Sequence, residues 1–368
     1  MDRPIPLRLG LQQRVLPSYR VPFFDALAEA CQGGLTVFAG DPRLDEAIET
    51  SRKLQQAGHF PARNRHLFSG PFYLCWQSGL LDWLNSWQPQ SLVVEANPRY
   101  LRTPAAVRWM HARKRPVIGW GLGAPEISGP LSGLRRAARR SFLNQFDGLL
   151  VYSRQGADQY AAFGFDPRRI FVAPNAAVRK PGLPPPPRPL PAGPPTLLFV
   201  GRLQARKRLD LLIHACAALP QGVQPRLWLV GDGPVRPGLE TLAHQVYPDT
   251  KFFGAQHGEA LDDLFRQADL FVLPGTGGLA VQQAMSFGLP VMVAEGDGTQ
   301  SDLVQPANGW TLPTGSLPAL AATLADALAD LPRLRRMGLE SYRIVSEEVN
   351  VEKMVEAFAN AINCVVHE

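Results

Sequence analysis

A proline-rich segment at residues 178–195, VRKPGLPPPPRPLPAGPP, is the feature that most constrains how this chain can fold. Proline lacks an amide hydrogen and fixes its own φ, so this segment can form neither a helix interior nor a central strand. We therefore predict a semi-rigid linker between two domains. A polyproline ligand for a partner domain is the alternative interpretation.

On both sides of the linker, short apolar runs alternate with segments of helical composition. The predicted strands are residues 7–11, 34–39, 66–69, 91–96, 116–120, 148–152, 170–173, 196–200, 226–230, 251–253, 270–273, 291–293 and 309–312. The predicted helices include residues 22–30, 44–58, a Trp-rich segment 71–87, 103–113, 131–146, 154–163, 258–267, 279–286 and 349–366. This alternation is typical of an α/β fold with doubly wound parallel sheets.

A length of 368 residues suits two domains of ordinary size. We predict two tandem Rossmann-like domains, at 1–177 and 196–345, joined by the linker 178–195. A terminal helix in 346–368 could belong to either domain, and crossing back to the first is one option. Ligands of such sheets bind at the carboxyl ends of the strands, so facing domains would share a central cleft.

The net charge of +6 and pI near 9.3 favour anionic partners such as sugar nucleotides, anionic lipid or nucleic acid. Without a zinc finger, a helix-turn-helix or an RNA-binding aromatic signature, nucleic acid is not expected. No apolar run reaches the ~18–20 residues of a membrane span, and the first residues lack a signal-peptide core, so we expect a cytoplasmic protein. The cysteines show no metal-ligand spacing, and we expect buried free thiols at Cys31, Cys75, Cys216 and Cys364.

Residues 269–293, DLFVLPGTGGLAVQQAMSFGLPVMV, predict a strand, a glycine turn, a helix and a second strand. Such a turn leaves backbone amides free at the positive end of the helix dipole, which is a ready phosphate site. Plain packing of a strand–helix unit explains the pattern equally well.

Three motifs give the second half its resemblance to retaining glycosyltransferases of family 4, which have two Rossmann-like domains in the GT-B arrangement. They are FVGRLQARK at 199–207, LWLVGDGP at 227–234, and 269–293, which resembles the family signature ExFGLxxxEAMxxGxPV. The resemblance implies that Arg202 and Lys207 bind the donor diphosphate, where cations stabilise the leaving group. It also implies a wider donor-binding set: Gly201, Gly231, Gly233, Gly254, Gly278, Leu279, Ala280 and Gln283.

The chain departs from that family pattern at the reacting centre. The family usually carries two glutamates eight positions apart, and here those positions are Gly275 and Gln283. A histidine common at the end of one N-terminal strand is replaced by the glycine corner 121–123. The chain is therefore either a divergent branch with other residues at the centre, or a protein that binds donor without turning it over.

Polar residues after the predicted strands are the candidate replacements, and loop residues satisfied by caps and water are the alternative interpretation. In the first half we predict catalytic roles for Glu95 and Asn97, beside Arg202 and Lys207 of the second. Residues placed to meet the acceptor are Arg14, Tyr19, Arg20 and Arg99. Further candidates in loops are Glu126, Glu295, Asp297, Thr299 and Asp302.

The resemblance implies a metal-independent, retaining transfer from a UDP- or GDP-sugar to a hydroxyl acceptor, with no cofactor. The arginines of helix 131–146 form a basic face that could rest on anionic lipid or simply be solvated: Arg135, Arg136, Arg139 and Arg140. Two other functions stay open on this fold. One is a nucleotide-sugar epimerase or phosphorylase, and the other is a catalytically silent sugar-nucleotide-binding protein.

Overall fold

The computed structural model describes residues 4–367, apart from residues 44, 45, 47, 52, 186 and 297–301. The chain divides into two compact units. Unit 1 comprises Met1–Arg179 and Val351–Glu368, and unit 2 comprises Lys180–Asn350. The four cysteines are free thiols as predicted; Cys31, Cys75 and Cys216 are buried, whereas Cys364, also predicted to be buried, is half-buried.

Unit 1 is built on a seven-stranded parallel sheet in the order β3-β2-β1-β6-β7-β8-β9, with β4 and β5 forming a separate antiparallel pair. The strands are β1 (Leu9–Val15), β2 (Leu35–Gly40), β3 (Gly58–Pro61), β4 (Arg63–Leu67), β5 (Leu74–Ser78), β6 (Ser91–Glu95), β7 (Val117–Gly121), β8 (Gly148–Val151) and β9 (Ile170–Val172). The helices are α1 (Val21–Ala30), α2 (Leu80–Trp87), α3 (Thr103–His111), α4 (Ser132–Leu143) and α5 (Arg154–Ala162).

Unit 2 is built on a six-stranded parallel sheet in the order β12-β11-β10-β13-β14-β15. The strands are β10 (Thr196–Val200), β11 (Arg226–Val230), β12 (Thr250–Gly254), β13 (Leu270–Leu273), β14 (Val291–Ala294) and β15 (Gly309–Leu312). The helices are α6 (Leu209–Ala217), α7 (Arg236–Val246), α8 (Gly258–Gln267), α9 (Ala280–Ser286), α10 (Leu317–Ala329) and α11 (Leu331–Glu347).

The strand order reverses once in each sheet. In unit 1 the reversal lies between β1 and β6, and in unit 2 it lies between β10 and β13. Most residues of the strands on either side are buried, as in the apolar β13, where all four residues are buried, and in β1, which also buries Gln12 and Gln13. Such a reversal opens a crevice beyond the carboxyl ends of the strands, which is where open α/β sheets bind ligands.

The last helix, α12 (Val351–His367), completes the core of unit 1. The Phe358 ring packs edge-on against both Phe23 and Trp120, with ring centroids 4.9 Å apart in each pair. Its amino end is tied to the chain before the linker, since the Val351 amide donates to the Val178 carbonyl at 3.0 Å. The apolar residues of α12 therefore belong to the same hydrophobic core as those of β1 and α1.

Two predicted helices are wrong. The described residues of 44–58 contain no helix, because the Asp25 carboxylate accepts the amides of Gln55, Gln56 and Ala57 that a helix would use internally. The segment 71–87 is divided into β5 and α2, which are separated by Gly79 at φ +84°. Trp76 therefore lies partly exposed on a strand while Trp83 is fully buried.

The proline-rich segment contacts the rest of unit 2 through Arg188 instead of acting as a separate spacer. The buried Arg188 guanidinium donates five hydrogen bonds, between 2.5 and 3.3 Å, to carbonyls of Phe265, Arg266, Ala268 and Phe287. These carbonyls lie at the carboxyl ends of α8 and α9, where the negative end of the helix dipole favours a cation. We call this contact the Arg188 latch.

None of the helices in the described part of the chain combines the length and the apolar composition needed to cross a membrane. The predicted cytoplasmic location stays a prediction.

Candidate functional site

The candidate donor site of unit 2 consists of loops that follow β10, β11 and β13. These loops share backbone contacts. A Cβ on Gly231 would lie 2.0 Å from the Gly201 carbonyl oxygen, and one on Gly233 would lie 2.2 Å from the Leu203 oxygen. The Leu203 amide donates to the Asp232 carbonyl at 2.8 Å. Gly231 and Gly233 are predicted to line a nucleotide pocket. The side on which each would carry a side chain is filled by the backbone of the loop after β10.

Gly275 forms the third close approach. A Cβ there would lie 2.1 Å from the Arg206 carbonyl oxygen and 2.6 Å from the Lys207 Cα. The neighbouring Thr276 amide donates to the same Arg206 oxygen at 3.1 Å. No side chain fits at position 275 in this loop conformation. The glutamate expected there from the family pattern could therefore not be accommodated without a change in the backbone. We call the contacts of Gly231, Gly233 and Gly275 the glycine interlock.

Lys207 is held inside this arrangement, with its side chain nearly buried. Its ammonium Nζ donates to the carbonyls of Thr276 at 2.8 Å and Gly277 at 2.7 Å. Burial and the nearby Arg206 charge lower the pKa of Lys207 to about 8. Within the described part of the chain, no carboxylate pairs with it. A buried cation without a counter-charge is costly by itself and is stabilised by an anionic ligand.

The other predicted donor residues lie on the same loops. Arg202 is exposed and makes no hydrogen bond to another described residue. The amides of Gly278, Leu279 and Ala280 make none to described residues either, whereas the amides of Val281 and Gln282 donate to the Gly278 and Leu279 carbonyls. The side chain of Gln283 is half-buried. Gly254, after β12, accepts the Gly231 amide at 2.7 Å and so joins the same group of loops.

The candidate site of unit 1 lies where β1 and β6 end. The Arg14 amide donates to the Glu95 carboxylate, and the Glu95 amide donates to Gln12 Oε1 at 3.0 Å. Burial raises the pKa of Glu95 to about 7, against the opposing effect of the Arg14 amide and of the Arg14 and Arg20 charges. Glu95 can therefore exchange a proton near neutral pH, as a general acid or base must.

The Arg14 side chain pairs with Glu46, with Nη1 and Oε2 2.6 Å apart. Burial opposes ionisation of Glu46, but the hydrogen bonds from Arg14 and the Arg43 amide outweigh it and lower its pKa. A network of buried amides supports this pair: Gln77 bonds to Gln12, to the Gln13 carbonyl and to Asn64, whose amide donates to the Arg14 carbonyl at 2.7 Å. Arg14 is thus held by side chains from three segments.

Arg20 is placed differently from its prediction as an acceptor residue. It is 3% exposed, its Nη2 donates to Tyr152 Oη at 3.1 Å, and its guanidinium lies 4.9 Å from the Trp120 ring centroid. It is a buried structural cation of unit 1, because the aromatic rings around it leave no open face. The neighbouring Tyr19 is 40% exposed and stays a candidate for acceptor contact.

Asn97 and Arg99 lie on the turn after β6. Asn97 Oδ1 accepts the Arg99 amide at 3.1 Å, so Asn97 shapes the turn while the Arg99 side chain remains exposed. Among the further loop candidates, Glu126 and Glu295 are exposed, and Asp302 is half-buried. Asp297 and Thr299 lie outside the described residues.

Several residues at these sites could not be identified from sequence. Glu46 falls in a segment predicted as helix, and only its pairing with Arg14 shows its place. Gln12 on β1 and Gln77 on β5 are buried polar residues inside strands. For Gln77, the alternation of buried and exposed positions along β5 could have predicted that it points inward. Arg206 lies within the predicted diphosphate motif, next to Lys207, and contributes positive charge beside it.

Family comparisons cover both units. Residues 25–176 match the model for the glycosyl transferase 4-like domain, and residues 185–343 match the model for glycosyl transferases group 1. The chain joins a glycosyltransferase 4-like domain to a group 1 domain. The group 1 match includes the glycine interlock and Lys207, and the 4-like match includes Glu95.

Among curated proteins, the two domains are similar to D-inositol 3-phosphate glycosyltransferase of Nocardia farcinica, with 30% identity over 296 residues. That match covers 72% of this chain and 60% of the relative. A second relative is GDP-mannose-dependent alpha-mannosyltransferase of Mycobacterium tuberculosis, with 35% identity over 150 residues, which are 40% of this chain and 36% of that one. The chain thus spans three fifths or less of the length of these relatives.

The fold comparison extends over nearly the whole chain. HepE of Anabaena in complex with UDP has a TM-score of 0.69 at 16% identity, covering 97% of this chain and 99% of that one. A glycosyltransferase from Rickettsia africae has a TM-score of 0.73 at 11% identity, covering 98% and 99%. The predicted α/β fold with two Rossmann-like domains is confirmed, and it matches structures of GT-B glycosyltransferases.

Proposed function

We propose that this protein is a retaining glycosyltransferase of family 4, in a divergent branch, that moves a sugar from a nucleoside diphosphate sugar to a hydroxyl acceptor. The observation that carries the proposal is the buried ammonium of Lys207, which pairs with no carboxylate among the described residues and lies in the loop where the group 1 domain would hold a diphosphate. HepE binds UDP and a mannosyltransferase relative is named for GDP-mannose, so UDP- and GDP-sugars are the donors to test.

In the proposed mechanism, Lys207 directs its third N–H to a diphosphate oxygen while Thr276 and Gly277 hold the other two. Arg202 and the backbone amides of Gly278, Leu279 and Ala280 would bind the remaining oxygens. These groups stabilise the charge that develops on the leaving diphosphate, since charge-assisted hydrogen bonds are stronger than neutral ones. They supply the positive charge that a metal provides in other transferases, so we propose a metal-independent reaction of the hexosyltransferase type.

The acceptor hydroxyl would attack on the face that the diphosphate leaves, and the leaving phosphate would take its proton. No strong enzymic base is then required, which fits the absence of a side chain at Gly275. We propose that Glu95 of the 4-like domain, with its pKa near 7, accepts a hydrogen bond from the acceptor hydroxyl and orients it, while the proton itself passes to the leaving phosphate. Asn97, Arg14, Tyr19 and Arg99 would position the acceptor beside it.

We further propose that the 4-like domain makes peripheral contact with membrane through α4. Its arginines lie beside the exposed Leu131 and Leu134, and ten of its twelve residues are not buried. A cationic helix with exposed leucines suits an anionic lipid surface. A lipid-linked acceptor would then be brought to the 4-like domain.

The test is calorimetric titration of UDP, GDP and ADP into wild type and an Arg202→Ala/Lys207→Ala variant. Loss of both phosphate contacts should weaken binding by about 2 kcal/mol or more. Lys251→Ala, which changes an exposed lysine on β12 of the same sheet, is the matched control and should bind as wild type does.

Equal binding by wild type and the double variant, or no binding of any nucleotide, would sink the donor-site assignment. A nucleotide that binds while its sugar conjugates show neither transfer nor hydrolysis would favour the silent sugar-nucleotide-binding protein. Where transfer occurs, the anomeric configuration of the product, read by NMR, decides between retention and inversion.

A further inference from the structure

The hairpin of β4 and β5 stands outside the main sheet of unit 1 and has one fixed outer face. Arg65 pairs with Trp76 across the strands, and Arg63, Arg65 and Trp76 point to solvent. The alternate residues point inward, where His66 Nδ1 lies 2.9 Å from Tyr73 Oη and Asn64 accepts from Gln77 at 2.9 Å. These inward contacts fix the register, so the outer face cannot turn toward the core.

The tip of this hairpin exposes apolar side chains that the fold could have buried. Phe68 is 72% exposed and Phe72 is 78% exposed, and Leu67 beside them is 40% exposed. Phe68 also has φ +59°, a left-handed backbone that is unfavourable for a bulky aromatic residue. The chain thus holds two phenyl rings in water in a strained turn, which points to an apolar partner that covers them.

Positive charge lies behind the tip, along the outer face of the hairpin toward its base, and we call this group the charge collar. Arg63 and Arg65 lie on the outer face of the hairpin, and the Arg102 guanidinium lies 4.8 Å from the Trp76 ring centroid. The turn that carries Arg102 is joined to β5, because the Cys75 amide donates to the Arg99 carbonyl at 2.9 Å. Residues 50–81 contain no aspartate or glutamate, so no carboxylate of the hairpin itself offsets this charge.

We propose that this hairpin docks on an anionic phospholipid membrane, with Phe68 and Phe72 inserted among the acyl chains. Arg63, Arg65 and Arg102 would contact lipid phosphates. Aromatic rings at the tip with cations behind them match the order of a bilayer surface, apolar inside and anionic outside. The proposal goes beyond sugar transfer and does not depend on donor binding. It also assigns a surface distinct from the α4 contact.

The test is co-sedimentation of the full chain with vesicles of phosphatidylcholine alone or mixed with phosphatidylglycerol. Wild type should bind the mixed vesicles, and Phe68→Ser/Phe72→Ser should weaken binding by about tenfold or more. Phe68→Leu/Phe72→Leu keeps the apolar surface and should retain binding. Leu339→Ser, which changes an exposed leucine on α11, is the control and should bind as wild type does.

The charge collar has its own readout. Arg63→Glu/Arg65→Glu should abolish the preference for phosphatidylglycerol, and added salt should weaken wild-type binding. The proposal is overturned if wild type ignores both vesicles, or if the serine variant binds as wild type does. It is equally overturned if Arg135→Ala/Arg136→Ala abolishes binding while the hairpin variants do not. Failure to bind UDP would contradict the proposed function only, so the two failures are distinguishable.

Discussion

At the residue scale, Lys207 shows what sequence could and could not predict. Its motif predicts a diphosphate ligand, because the residue types and the spacing of the motif can be read directly from the sequence. Its burial, its two carbonyl partners and its lowered pKa come from the loop after β13, which lies about 70 positions later in the chain. The reason for the glycine at position 275 could not be predicted either, because the Arg206 carbonyl that leaves no room for a side chain there is equally distant in the sequence.

Binding of a nucleoside diphosphate should draw a proton onto Lys207. With a pKa of about 8, a large share of this amine is neutral at pH 8 in the free protein, and a bound anion raises its pKa. Affinity should therefore fall as pH rises through 8. Calorimetry at pH 8 in buffers of different ionisation enthalpy measures the uptake.

The matched variant is Lys207→Arg, which stays charged throughout this pH range. Its binding should involve much less proton uptake and should change less between pH 7 and pH 9. Unchanged uptake in this variant would assign the proton to another group and contradict the role given to Lys207.

At the element scale, buried strands were predicted well and polar segments were not. Runs such as Leu270–Leu273 identify themselves because both of their faces are buried. Residues 44–58 lack such a run, and their conformation depends on the Asp25 carboxylate of α1. Arg188 lies in a segment whose composition predicts a linker, yet its guanidinium donates to carbonyls at the carboxyl ends of α8 and α9. Tertiary hydrogen bonds of this kind leave no local pattern.

The Arg188 latch should stabilise unit 2 measurably. Arg188→Met removes five hydrogen bonds to carbonyls that are partly shielded from water, and we expect the free energy of unfolding to fall by about 2 kcal/mol or more. Urea denaturation checks the loss, and limited proteolysis should show faster cleavage within residues 180–195. Arg108→Met, at an exposed arginine of α3, is the control. Equal stability of the two variants would contradict the latch.

At the scale of the whole molecule, two Rossmann-like domains could be predicted from alternation alone, but the place of the last helix could not. An amphipathic helix at the end of a chain fits the surface of either domain. Its partner is decided by shape, since Phe358 fills the space between Phe23 and Trp120. The chain therefore passes between the units twice, at residues 179–180 and 350–351.

Truncating Phe358 should weaken unit 1 selectively. Phe358→Ala removes a fully buried ring, and such changes cost about 3–5 kcal/mol. Hydrogen exchange followed by mass spectrometry should show loss of protection in β1, β7 and α1, with unit 2 nearly unchanged. Leu339→Ala, on exposed surface of α11, should alter neither unit. Equal loss of protection in both units would show that α12 does not stabilise unit 1 alone.

The glycine interlock has a consequence for anyone who would re-engineer this protein. The loops after β11 and β13 each approach the loop after β10 so closely that a Cβ at Gly231, Gly233 or Gly275 would collide with its backbone, so the conformations of the three loops depend on one another. Grafting a single loop from a homologue would import side chains or backbone paths that collide with the remaining pair. The loops after β10, β11 and β13 should therefore be exchanged as one cassette, and a library that varies them separately would consist largely of misfolded members.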